Sequence, residues 1–229
     1  MSLNDHNASP FNALPPVVVA LALAIFGIEM LFQAGRIGVI GGAEGVGMRL
    51  EALNGFAFSP QLWDRMVETG QFPPRQMLRF VSYSFVHLGF THMLFVIVFL
   101  LALGKMVAET FAPWAMAVLW VVSSIVGALV YAAVPGADIA LVGGYPAVYG
   151  LIGAYTFLMW TGLGALGEQR IRAFTLIAFL LGIQLAFGLL FGGGIDWVAD
   201  LAGFVAGFLL SFVVSPGGWA RVVQKLRQR

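Results

Sequence analysis

Six long apolar runs, the last five joined by short links, leave few folds open to this chain. The runs lie at about 14–34, 85–107, 114–134, 147–163, 171–191 and 198–214. A helix needs about 20 apolar residues to cross a hydrocarbon core. Inside lipid every backbone polar group must be bonded within the protein, so runs of this length become helices. The links 108–113, 135–146, 164–170 and 192–197 are short, which makes consecutive helices antiparallel neighbours. Composition agrees. Hydrophobic residues make up 60% of the chain and charged residues 10%, and the mean hydropathy is +0.91. These values belong to a membrane protein, not to a soluble domain. The expected fold is an all-α integral membrane protein, a six-transmembrane-helix bundle.

Residues 1–13 read as an N-terminal tail and residues 14–214 as the membrane domain. A long outer loop spans 36–79, and a basic tail spans 215–229. No basic n-region and no small-residue cleavage site accompany the first apolar run, so it reads as a span and not as a removable signal peptide. Lys105, Arg170, Arg172, Arg221, Lys225, Arg227 and Arg229 fall on one side, while 135–146 and 192–197 carry no Lys or Arg. The positive-inside rule then places both termini in the cytoplasm, and a bacterial inner membrane fits. Within the long loop, Leu62, Trp63, Met66 and Val67 recur at helical spacing after Ser59-Pro60. They predict a short amphipathic helix with Trp63 at headgroup level. Glu29, near the far end of the first run, is expected to reach interfacial water, and His87 to lie in the interface.

Several chemistries drop out. A net charge of +1 gives no reason to expect nucleic acid, and the absence of cysteine removes disulfides and thiolate metal sites. His6, His87 and His92 are scattered, and no H-E-x-x-H pattern occurs. No metal or cofactor is expected.

Small residues mark the helix contacts. The stretch Gly143-Gly144-Tyr145-Pro146-Ala147-Val148-Tyr149-Gly150-Leu151-Ile152-Gly153 enters the fourth run through a tight loop, and Gly150 and Gly153 keep its side slim. Asp200-Leu201-Ala202-Gly203-Phe204-Val205-Ala206-Gly207 is a G-x-x-x-G helix with a carboxylate near one end. Small residues let membrane helices approach closely, so these two stretches are expected to face each other.

Six spans, a long first loop and this glycine-rich entry resemble the rhomboid family of intramembrane serine proteases. The resemblance covers about 14–214. His92, in Phe90-Thr91-His92-Met93-Leu94-Phe95, falls on the family's oxyanion histidine. Arg79 falls on the arginine that buttresses the first loop, although the preceding tryptophan is Leu78 here. Tyr149 falls on the tyrosine that packs beneath the catalytic histidine, and Gly203 and Gly207 fall on the glycines of the sixth helix. The departures concern chemistry. The family's G-x-S-G reads Gly143-Gly144-Tyr145-Pro146, so Tyr145 stands at the nucleophile and Pro146 at the second glycine. Asp200 stands at the general base, and Val96 at the oxyanion asparagine.

Acyl transfer by this route needs an activated hydroxyl, a base and oxyanion donors. A phenol on a long ring cannot take the serine's position, and proline removes a backbone N–H. Ser82, Ser84, Ser123 and Ser124 read as hydroxyls that bond back to carbonyls or fill helix contacts. Asp200 has three readings: a cap on the sixth helix, a buried cluster with Tyr145, Tyr149 or His92, or a proton-handling group. The resemblance then implies a pseudoprotease that binds transmembrane helices of partner proteins. It would serve as an assembly or stabilising subunit of a membrane complex, or as an adaptor. Two rivals are an active intramembrane endopeptidase rebuilt on Asp200, His92 and Tyr145, and a small channel or transporter.

Overall fold

The computed structural model describes residues 14–218; the expected N-terminal tail and most of the expected basic tail lie outside the described residues. Ten α-helices follow in chain order: α1 (Pro16–Arg36), α2 (Met48–Phe56), α3 (Pro60–Thr69), α4 (Pro74–Met77), α5 (Arg79–Ser82), α6 (Phe90–Ala108), α7 (Pro113–Ala132), α8 (Tyr145–Ala165), α9 (Thr175–Phe191) and α10 (Trp197–Val214). Among the described residues, six helices are long and apolar enough to span a bilayer: α1, α6, α7, α8, α10, and α9 with the 3-10 turn before it. The protein is a multi-pass integral membrane protein with an all-α bundle.

Helix starts follow local chemistry. Prolines open α1, α3 and α7 in the first turn, where a missing N–H is harmless. Ser59 caps α3, its Oγ accepting from the Leu62 amide at 3.3 Å. The second span begins at Phe90, not at 85. Residues Tyr83–Phe85 form a 3-10 turn, and Val86 and Gly89 are extended.

The bundle is built around α8. Its contact with α10 is more extensive than any other pair of helices makes. A methyl group on Gly207 would strike the backbone of Gly150, one on Gly203 the backbone of Pro146, and one on Gly153 the backbone of Phe204 and Phe208. The two backbones therefore touch directly, and the G-x-x-x-G stretch packs within the molecule. Helix α7 joins them through Gly127, which lies against Pro146 and the Ala199 carbonyl. At the other extreme, α9 buries only Ile177.

Buried residues on α1 recur at Val18, Ala22, Ile25, Glu29 and Phe32, a stripe of helical period. Glu29 is 1% exposed and does not reach water, contrary to the sequence expectation. Arg49 of α2 grips it with two bonds, Nη1 to Oε2 at 2.8 Å and Nη2 to Oε1 at 2.7 Å. Gln33 Nε2 adds a third at 2.7 Å, and Arg49 Nη1 also donates to the His87 carbonyl at 2.7 Å. A carboxylate at this depth requires such a partner. The pair ties the long loop to the first span. Trp63, half-buried, packs edge-on to Phe80 at 5.3 Å between ring centres.

Candidate functional site

A cavity of about 530 Å³ opens at the end of the bundle where α6, α8 and α10 begin. Its walls bring together His92 of α6, Tyr145, Pro146 and Tyr149 of α8, Gln184 of α9, and Asp196 and Asp200 beside and on α10. The 135–144 segment runs past it and is fixed by a two-way backbone bridge, Phe58 N to Leu141 O at 3.1 Å and Leu141 N to Phe58 O at 2.8 Å.

Tyr145 and Pro146 are the first two residues of α8. The phenol ring stacks on His92, with centres 5.1 Å apart and planes inclined by 19°. Gly143 makes this approach possible. Its φ of +91° is a left-handed conformation that side chains disfavour, and a Cβ there would lie 2.6 Å from His92. His92 in turn sits 5.2 Å from His87, edge to face, and its Nδ1 accepts from the Leu88 amide at 3.4 Å.

His87 is buried within the protein, just before α6. Its Nε2 accepts the Gly144 amide at 3.4 Å. Burial pushes its pKa down to about 4, with the neighbouring His92 acting in the same direction. It is a neutral acceptor at physiological pH. Val96 is wholly buried and packs against Gly144, where a Cβ would meet its Cγ1 at 2.9 Å. An apolar branch thus fills the place at which the resemblance implies an amide donor.

Asp200 is the fourth residue of α10, too deep to cap the helix; its own amide donates to Asp196 O at 3.4 Å. The capping reading is overturned for that reason. Its Oδ2 instead accepts from Gln184 Nε2 at 2.8 Å, and Gln184 Oε1 accepts the Tyr149 hydroxyl at 2.9 Å. A relay therefore links α8, α9 and α10. One of the three sequence readings offered Tyr149, with Tyr145 or His92, as a neighbour of Asp200, and none of them included the glutamine. A signal existed: Ile177, Leu180, Leu181 and Gln184 share one face of α9. Asp200, Tyr145 and His92 line one cavity, yet among the described residues no hydrogen bond joins Asp200 to either of them.

Three of the four candidate serines are engaged elsewhere. Ser82 Oγ donates to Phe56 O at 3.0 Å, Ser84 Oγ to Val81 O at 2.7 Å, and Ser124 Oγ to Trp120 O at 2.9 Å. Ser123 is buried against Gly150 with no partner. No serine lines the cavity among the described residues. Arg79 Nη1 donates to Ala57 O at 2.9 Å and Nη2 to Asn54 O at 2.7 Å, fastening the end of α2. No cluster of three or more metal-ligating side chains occurs among the described residues.

Residues 74–217 match the family model of the Rhomboid domain. Three curated relatives come from Arabidopsis thaliana. RHOMBOID-like protein 5 is 28% identical over 151 residues, 66% of this chain and 46% of that protein. RHOMBOID-like protein 1 is 30% identical over 138 residues, 60% of this chain and 34% of that protein. RHOMBOID-like protein 4 is 28% identical over 139 residues, 59% of this chain and 34% of that protein. The chain thus spans less than half the length of these relatives. With the family model covering well over half of its residues, the chain belongs to the rhomboid family.

Proposed function

We propose that this chain is a rhomboid pseudoprotease. It binds transmembrane helices of partner proteins without cutting them, as an assembly or stabilising subunit of a membrane complex or as an adaptor. One observation carries the reading: the cavity at the family's reactive position contains no hydroxyl paired with a base. Tyr145 is stacked on His92, and Asp200 is held by Gln184. Nucleophile and base must lie within hydrogen-bond reach for attack on a carbonyl. Pro146 supplies no N–H, and Val96 supplies no donor for an oxyanion. What remains is a cavity beside α9, a helix with little buried surface, where a partner segment could lean on the bundle.

The test uses purified protein in phosphatidylcholine proteoliposomes, with photo-crosslinkable transmembrane peptides and a fluorophosphonate probe. The expected result is peptide cross-linking with neither cleavage nor serine labelling. The single substitution Tyr145→Ser is expected to leave the protein inert, because base and oxyanion donors are still missing. Cleavage that disappears on changing one serine would overturn the proposal.

A further inference from the structure

The cavity has a charge pattern that a missing nucleophile does not explain. Asp196 stands exposed at its mouth, and Asp200, four residues on, lies one turn deeper at 4% exposure. Both line the same cavity. Gln184 occupies Oδ2 of Asp200, whereas Oδ1 takes no hydrogen bond among the described residues. Tyr131, Tyr145 and Tyr149 contribute aromatic rings, and among the described residues no Lys or Arg contributes to the lining. Oδ1 is not sealed in the core, and Asp200 lines the cavity, so a donor entering there can reach it. Aromatic faces attract cations.

We propose that this cavity receives a lysine or arginine side chain projecting from near the end of a partner's transmembrane helix. The inference rests on the helix-binding reading above and adds the chemistry that selects the helix. The cationic head meets Asp200 Oδ1 after passing Asp196, and its methylene stem lies along the apolar wall that includes Leu180 and Ile183. Both acids are offered to one long, charged, half-apolar side chain. The cavity volume of about 530 Å³ suits such a guest.

The experiment uses the full chain in neutral phosphatidylcholine nanodiscs, which removes attraction to anionic lipid. Two labelled transmembrane peptides of identical apolar sequence carry either lysine or norleucine one turn from the end. Binding is read by fluorescence anisotropy against the wild type, Asp200→Asn and Asp196→Asn. The lysine peptide is expected to bind about tenfold more tightly than the norleucine peptide. Asp200→Asn is expected to abolish that preference and Asp196→Asn to reduce it. The exposed Asp196 keeps the test decisive if Asp200→Asn fails to fold. Equal binding of both peptides overturns the cation site and leaves helix binding standing. A preference that survives the asparagine variants also overturns it. Binding of neither peptide overturns both readings.

Discussion

Replacing Gly207 with alanine asks the α8–α10 contact for room it does not have. The added Cβ would lie 2.6 Å from both the carbonyl carbon and the Cα of Gly150, and closer still to its oxygen. Carbon atoms attract best at roughly 3.5–4.0 Å, so α10 must withdraw by roughly an ångström. A gap of about 0.5–1 Å forfeits a quarter to a half of each pairwise attraction along the interface. Overpacking typically costs about 1–3 kcal/mol. The atoms in the way are backbone and cannot rotate aside, so the upper end applies, about 3 kcal/mol. The internal control is Gly182→Ala on α9, where the new methyl meets nothing within 4 Å. There the gain in helix propensity predicts a neutral or stabilising change of up to about 1 kcal/mol. Denaturant unfolding in micelles, followed by tryptophan fluorescence, separates the two. If Gly207→Ala unfolds at the wild-type midpoint, the direct backbone contact is refuted.

Three further outcomes are expected. Arg49→Met strands Glu29 in the bundle and is expected to cost about 3–5 kcal/mol, while Glu29→Met combined with Arg49→Met costs much less; the same unfolding assay measures both. His87 holds its neutral form in the folded state with a pKa of about 4. The unfolded chain therefore takes up a proton first, near pH 6.5. Stability is complete above that value and falls as pH drops toward 4, by roughly 3 kcal/mol, and His87→Asn should flatten this part of the pH profile. Gln184→Leu removes the link from α9 to Tyr149 and Asp200, and hydrogen exchange in α9 is expected to rise while exchange in α8 stays slow.

The bundle was legible because lipid imposes a single demand, and apolar runs of sufficient length meet it visibly. The α8–α10 contact was legible because glycine spacing encodes closeness directly. Polar pairing was not. Glu29 was assigned to water since its partner, Arg49, lies in a loop whose path no periodicity reveals, although the stripe Val18, Ala22, Ile25, Phe32 places Glu29 on the inward face. Of the three readings of Asp200, the cap fails because helix starts are blurred by a few residues, and α10 begins at Trp197. Its true bond runs to a glutamine sixteen positions away on another helix. Hydrogen bonds across a bundle depend on helix rotation, which hydropathy fixes only coarsely.

Pro146 touches two other helices at once, its ring against Gly127 of α7 and its backbone against Gly203 of α10. Exchanging it for glycine would give back an N–H but open a hollow where three segments meet. Filling that hollow from Gly127 would press on the Ala199 carbonyl. A lone Pro146→Gly change is thus expected to loosen the junction of α7, α8 and α10.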